Sequence, residues 1–308
     1  MPCGLWLLLR RSAHGLRDDE IQVVSGWTRR SVLGGALALA GAARAQAVGK
    51  RVVVLDWALT ELALLLGVTP IAVAEAPYYR MRVATPDLPA EVADVGLRAQ
   101  PNLALIASLK PDLIVRLRHY GPPQSRLEAI APTLELAIYE ADQRAYERAT
   151  DALARMGEAC GAADRTPIAM SRIDATLAHS RETLAPHFDR PVLIANFADD
   201  RRADVFGRGS LFQSALERVG LSNAYGGPTN MWGFATLGLD RLARFDGARL
   251  VALSPGPPAA LAQSALWGAL PAFRDVVVLP PVWVYGGLAS MMRFATLLSD
   301  ALGDDRAP

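Results

Sequence analysis

The 308-residue chain is 51% hydrophobic and 20% charged, which provides for a sizeable buried core and excludes wholesale disorder. Its 32 basic and 31 acidic residues leave a formal charge of +1, and no basic run occurs in the body of the chain, so no nucleic-acid partner is expected. Of its two cysteines, Cys3 falls in a segment expected to be removed, leaving Cys160 as a small buried apolar residue and excluding thiolate metal sites and iron–sulfur ligation.

Residues 1–47 read as a signal peptide of twin-arginine type. Arg29 and Arg30 precede a weakly apolar run over residues 31–43, and Ala45 and Ala47 supply small side chains for cleavage after Ala47. The run is far short of the ~20 apolar residues that span a bilayer. No cysteine follows it, so no lipid anchor is indicated, and the expected destination is the periplasm.

Residues 51–55 form a β-branched run and predict a buried strand; residues 58–66 predict a helix ending at Gly67. A short strand follows at 71–74, a helix at 102–109 opened by Pro101 and Asn102, and a strand at 112–115. A loop at 119–123 leads to a helix near 125–130 and a strand near 133–136. This alternation predicts a mostly parallel sheet covered on both faces. From 143 to 188 the pattern is helical throughout: one helix to about Cys160, then another from near Asp164 to Ala185, with Ile168, Ile173, Leu177 and Leu184 at roughly helical spacing. About twenty helical residues span roughly 30 Å, the width of a lobe. Strands at 192–195, 250–253 and 276–279, and helices at 210–219, 240–244 and 288–302, restart the alternation. The expected fold is α/β: an N-terminal lobe over 48–163, a connecting helix over 164–188 and a C-terminal lobe over 189–308.

No HExxH pair, G-x-S-x-G elbow or phosphate loop is present, and two of the four histidines, His179 and His187, fall on the connecting segment. Arginines and aromatics expected in loops at strand ends stand out instead: Tyr78, Tyr79, Arg80, Arg82, Arg98, Tyr120, Trp232, Trp283 and Tyr285. In parallel α/β lobes such loops line the ligand crevice.

Several blocks carry a family resemblance. In the first half these are Val53-Val54-Leu55-Asp56-Trp57, Asp94-Val95-Gly96-Leu97-Arg98 followed by Pro101-Asn102-Leu103, Tyr120-Gly121-Pro122 and Ile130-Ala131-Pro132. In the second they are Val205-Phe206-Gly207, Ser210-Leu211-Phe212-Gln213, Thr229-Asn230-Met231-Trp232-Gly233 and Pro281-Val282-Trp283-Val284-Tyr285-Gly286. In this order they resemble the periplasmic ferric-hydroxamate-binding proteins, class III substrate-binding proteins of ABC importers. The resemblance implies two lobes joined by one long helix, the class III periplasmic binding protein fold. It implies that Arg98 and Tyr120 bind the iron-bound oxygens of a siderophore, with Trp232, Trp283, Tyr285 and Asn230 completing the ligand site. The iron arrives already chelated, so no metal ligand, no cofactor and no catalysis are expected. The implied partners are an iron–siderophore and an inner-membrane ABC permease with its ATPase, and the protein is expected to be a monomer.

Arg82 stands where these relatives carry a tryptophan. It reads either as solvated charge, or a salt bridge to Asp87 or Glu75, or as a sign of a carboxylate-containing cargo, with Arg116, Arg118 and His119 adding to a basic approach. The family docks on its permease through an acid on each lobe. Asp240 matches in the second lobe; the first-lobe position is Ser125, for which Glu128 is the nearby substitute. A vitamin B12 or haem carrier of the same fold and, from a different class, a secreted α/β enzyme are the rival readings.

Overall fold

The computed structural model describes residues 49–303, residues 270 and 274 and the side chains of 266 and 272 excepted. The signal peptide expected over 1–47 lies outside them. The first sheet is parallel throughout, in the order β3-β2-β1-β4-β5, formed by β1 (Val52–Val54), β2 (Ala72–Val73), β3 (Ala93–Asp94), β4 (Leu113–Leu117) and β5 (Thr133–Leu136). The three valines of β1 are fully buried because helices cover both faces.

Asp56 turns the chain from β1 into α1 (Trp57–Leu65), its carboxylate accepting from the N–H groups of Ala58 and Leu59. Helix α2 (Ala76–Arg82) follows β2, α3 (Leu103–Ser108) is capped by Asn102, and α4 (Gln124–Glu128) joins β4 to β5. Tyr78, Tyr79, Arg80 and Arg82 were expected in a loop and lie in α2 instead. Tyr79 is fully buried, and Arg80 donates to the carbonyls of Leu88, Pro89 and Ala90, so neither is available to a ligand.

The connecting segment begins with α5 (Ala145–Cys160), stopped by Gly161 in the left-handed conformation. A 3-10 turn (Ala163–Arg165) leads into α6 (Thr166–Leu184), whose 19 residues extend about 28 Å. Its buried stripe is Ala169, Ile173, Leu177, Ser180 and Leu184. Ile168 falls off that stripe and is 61% exposed, contrary to expectation, because its neighbour Ala169 takes the inward position four residues before Ile173.

The second sheet, in the order β10-β9-β6-β7-β8, is mixed rather than mostly parallel. Strands β6 (Val192–Phe197), β9 (Arg249–Leu253) and β10 (Val277–Leu279) are parallel. The hairpin-like β7 (Arg202–Phe206) and the edge strand β8 (Phe234–Gly238) pair antiparallel and were not foreseen. Helices α7 (Leu211–Val219), α8 (Leu239–Leu242), α9 (Ala259–Ala262), α10 (Ala265–Ala269) and α11 (Leu288–Gly303) complete this half. Cys160 is buried and free.

A continuous apolar core crosses from one sheet to the other. It joins Leu62 of α1, Leu153 of α5 and Ile173 of α6 to Phe212 of α7 and Phe294 of α11, whose rings lie 4.7 Å apart. Helices α6 and α11 also meet through Ser299 Oγ, which donates to Ser180 Oγ at 3.5 Å. Tyr139 donates its hydroxyl to the Gly286 carbonyl at 2.8 Å, tying the end of the first sheet to the loop before α11. The fold is thus two α/β sheets, each with its own helices, connected through a helical segment and sharing a core.

Candidate functional site

The carboxyl ends of the first-sheet strands converge on Arg98. This residue lies in the loop after β3, and its Nε donates to Glu75 Oε2 at 2.9 Å while its main-chain N–H donates to Glu75 Oε1 at 3.2 Å. Glu75 itself follows β2 and holds a left-handed backbone (φ 54°), an uncommon conformation for a glutamate that aims its carboxylate across at the neighbouring loop. A second carboxylate, Asp56 at the end of β1, lies 3.7 Å from Arg98 Nη1. Burial pushes the Asp56 carboxyl upward; Arg98 and the N–H groups of Leu59, Ala58 and Trp57 pull it back. The guanidinium carbon of Arg98 rests 4.0 Å from the centroid of Trp57, whose indole N–H is anchored to the Ala74 carbonyl. Held on one side by Glu75 and one face by Trp57, Arg98 keeps Nη1 and Nη2 without a hydrogen-bond partner among the described residues.

Tyr120 follows β4 and is 38% exposed, with its ring 5.5 Å from the Arg98 guanidinium. The loop that carries it bends through His119 and Gly121, both at positive φ. A side chain at Gly121 would come within 3.0 Å of the Arg98 carbonyl, so glycine permits the two loops to approach. Arg116, buried under this loop, donates to the Tyr120 carbonyl at 3.0 Å and to Glu135 at 2.7 Å.

The second half contributes an aromatic wall. Trp283 and Tyr285 follow β10, and Trp232 sits in the turn before β8. Trp57 meets Trp283 edge-on at 4.7 Å, Trp283 meets Tyr285 at 5.7 Å, and Tyr285 meets Trp232 at 5.4 Å. Burial, then the charge of Asp204, pushes the Tyr285 phenol upward and keeps it neutral. Asp56, Arg98, Tyr120, Trp232, Trp283 and Tyr285, with Leu117 and Phe234, line a cavity of about 280 Å³ between the halves. It is mainly apolar with a few convergent polar groups, the composition of a small-molecule site.

Five of the seven ligand residues expected from the sequence line this cavity: Arg98, Tyr120, Trp232, Trp283 and Tyr285. Asn230 does not. Its Oδ1 accepts from the N–H groups of Trp232 and Phe234, at 2.9 and 3.3 Å, so it shapes the turn that presents the indole. Arg82 lines two adjoining recesses rather than the cavity itself. It reaches neither Glu75, which holds Arg98, nor Asp87, and its side chain has no partner among the described residues. The expected basic approach is largely neutralised: Arg116 and Arg118 pair with Glu135, and Arg118 also with Glu140, whose Oε1 lies 3.5 Å from His119 Nε2. Asp56 and Glu75 went unassigned as site residues, because nothing local in the sequence says that two loops 23 residues apart meet at one guanidinium.

Asp240 is exposed in the first turn of α8 and Glu128 at the end of α4, where its carboxylate accepts from Gln124 at 2.6 Å. Both lie outside the cavity. Among the described residues no group of three or more His, Cys, Asp or Glu side chains converges to hold a metal ion. None of the described helices is long and apolar enough to cross a membrane.

Residues 52–281 match the family described as periplasmic binding protein. The chain is 33% identical over 258 residues to the iron(3+)-hydroxamate-binding protein FhuD of Escherichia coli (strain K12), covering 82% of this chain and 87% of that protein. Among solved structures, the Fe3+–Desferal-bound siderophore-binding protein FhuD from Vibrio cholerae superposes with a TM-score of 0.77 at 29% identity, over 83% of this chain and 98% of that one. FhuD2 from Staphylococcus aureus with bound ferrioxamine B shares the fold, with a TM-score of 0.64 at 17% identity over 83% and 98% of the two chains.

Proposed function

The chain belongs to the periplasmic binding protein family, and from that premise we propose that it captures a hydroxamate-type iron(III)–siderophore in the periplasm and delivers it to an ABC importer. One observation carries the reading. Arg98 is fixed between Glu75 and Trp57 with its two Nη groups still free to donate, beside the phenol of Tyr120 and under an indole-lined wall.

Hydroxamate oxygens bound to Fe(III) are crowded and partly negative, and a planar guanidinium fork suits them. Glu75 fixes the plane of the fork before the cargo arrives, so little freedom is lost on binding. Tyr120 donates a further hydroxyl hydrogen bond. Trp232, Trp283 and Tyr285 offer rigid apolar area to the organic backbone of the chelator at small entropic cost. The iron is cargo and keeps its siderophore ligands throughout, so the protein contributes second-sphere contacts and no metal ligand.

The chain acts as a binder and not as an enzyme: the polar groups at the cavity are a guanidinium, phenols and an Asp56 carboxylate already engaged in capping α1. Export by the twin-arginine route, monomeric behaviour and docking on the permease through Asp240, with Glu128 as the first-lobe contact, belong to the same proposal. The N-terminal lobe, connecting helix and C-terminal lobe would run over 48–163, 164–188 and 189–308. Titration of the purified protein with ferrichrome, followed by tryptophan fluorescence, tests it. Saturable quenching with a Kd of about 1 μM or tighter is expected. Absence of quenching by every ferric chelate tried would refute the proposal.

A further inference from the structure

Three recesses meet at Trp283. The main cavity shares Arg98 with a second recess of about 300 Å³, which Arg82 and Tyr78 also line. A third, of about 400 Å³, shares Tyr285 with the main cavity and Arg82 with the second. The polar side chains lining this third recess are Arg82, Asn196 and Ser254, with Met81, Trp283 and Tyr285 among its apolar walls. Among the described residues no acidic one lines it; the nearest are Glu75, which lines the second recess and is engaged with Arg98, and Asp204, whose charge acts on Tyr285. Asn196 is the penultimate residue of β6 and Ser254 follows β9, so both stand at the carboxyl edge of the second sheet, lining the recess with Arg82 from the first.

The charge balance of the two compartments is opposite. Around the main cavity the carboxylates of Asp56 and Glu75 face the single cation of Arg98, which disfavours any further negative charge. At the third recess one guanidinium without a partner, one amide and one hydroxyl are all able to donate, and none of these side chains is committed to a hydrogen bond among the described residues. Asp204, the register partner of Asn196, accepts from Thr236 at 2.6 Å and does not line the recess. Arg82 is itself exposed, so its attraction for an anion is open to screening by salt.

We propose that Arg82, Asn196 and Ser254 form a separate anion subsite, which holds a peripheral carboxylate of the ferric chelate while its iron-bound oxygens sit at Arg98 and Tyr120. The subsite makes Arg82 a specificity-determining residue that favours siderophores bearing free carboxylates over neutral ones. The inference rests on the siderophore reading above.

The test compares ferric aerobactin, a dihydroxamate chelate with peripheral carboxylates, with neutral ferrichrome. Affinities are measured by fluorescence quenching for the wild type, Arg82→Gln, Arg82→Lys and Ser254→Ala. The readout is the ratio of the two affinities within each protein, so a general loss of folding does not imitate the effect. Arg82→Gln should lower the preference for ferric aerobactin about tenfold, Ser254→Ala should lower it less, and Arg82→Lys should retain most of it. Added salt should erode the wild-type preference and leave the Arg82→Gln ratio nearly flat. An unchanged ratio in Arg82→Gln, or loss of both chelates together, would overturn the subsite. If the wild type binds neither chelate, the siderophore reading falls with it; if ferrichrome binds and the ratio ignores Arg82, only the subsite falls.

Discussion

Ser290 donates its hydroxyl to Glu61 Oε1 at 2.6 Å across 229 residues of sequence, so a side chain of α1 caps the first turn of α11. The other carboxylate oxygen accepts from the N–H groups of Ser290 and Gly287 at 2.8 and 2.9 Å. These are donors that a helix start leaves without intrahelical partners. Gly287 is needed for the approach, since a side chain there would meet the Ala58 carbonyl at 2.9 Å. The joint between the halves thus sets this buried carboxylate, the Tyr139–Gly286 bond and the Ser180–Ser299 contact within a mainly apolar core.

This cap gives stability a pH dependence of unusual sign. Burial pushes the Glu61 carboxyl from its ordinary 4.5 up to about 8, over the opposing hydrogen bonds from Ser290 and Gly287. The folded chain thus holds a proton between those values that the unfolded chain has released. The contribution is complete below pH 4.5 and is lost as pH rises through 8, with a slope of at most about 1.4 kcal/mol per pH unit. Asp56, also raised by burial, acts in the same direction, so the difference from a Glu61→Gln variant isolates Glu61. Urea unfolding at pH 5, 6, 7 and 8 should show the wild type losing stability relative to Glu61→Gln as pH rises. A wild type that gains on the variant over that range would contradict the assignment.

At Arg98 the expected loss is larger than one hydrogen bond. Arg98→Ala removes two free donor groups and leaves Glu75 and Asp56 without their cation. At roughly 1.5–3 kcal/mol per charge-assisted hydrogen bond, ferrichrome affinity should fall about 100-fold or more. Arg98→Lys restores the charge but not the planar fork, and should remain about tenfold weaker than wild type. Equal affinity of Arg98→Lys and wild type would mean that charge alone suffices.

The order of strands and helices was largely legible because the buried runs and caps are local. Val52–Val54 is a β-branched run, and Asn102 and Ser210 each cap a helix where the sequence signals one. Helix α2 was illegible because it starts at a left-handed Glu75 with no side-chain cap and is only seven residues long. The strand pair β7–β8 was missed for another reason. Arg202 sits against the charged turn of Asp199, Asp200 and Arg201, and β8 is mostly half-buried, so neither strand shows a continuous apolar signal. Site residues marked by chemistry, an arginine and aromatics at strand ends, could be found in sequence. Their holders, Glu75 and Asn230, act through geometry that only the folded loops provide.

Asn230 separates positioning from contact. Asn230→Ala removes the acceptor for the N–H groups of Trp232 and Phe234, freeing the turn that presents the indole, and should weaken ferrichrome binding by about three- to tenfold. Asn230→Asp keeps the acceptor oxygen and should bind within about twofold of wild type. The emission of Trp232, read against a Trp232→Phe control, should broaden in Asn230→Ala before any ligand is added. A direct ligand contact would instead leave the free-state emission unmoved and make Asn230→Asp as poor as Asn230→Ala.

The connecting segment predicts small motion on loading. Hinge-closing binders move about a few flexible linker residues. Here α6 lies along α11, with His187 Nε2 3.0 Å from the Leu302 carbonyl, and the core they share runs on into α1 and α5. Tyr139 to Gly286 and Arg293 Nη1 to Thr85 Oγ1, at 2.8 and 3.0 Å, add ties on the cleft side. Opening the halves would expose that core, at roughly 25 cal/mol for each Å² of apolar surface, so a wide swing is disfavoured in either state. Small-angle scattering of free and ferrichrome-loaded protein should therefore give radii of gyration within about 1 Å of each other, against roughly 20 Å for a domain of this length. A larger contraction on loading would require the α6–α11 contact to slide, and crosslinking cysteines placed at Ser180 and Ser299 would then abolish it.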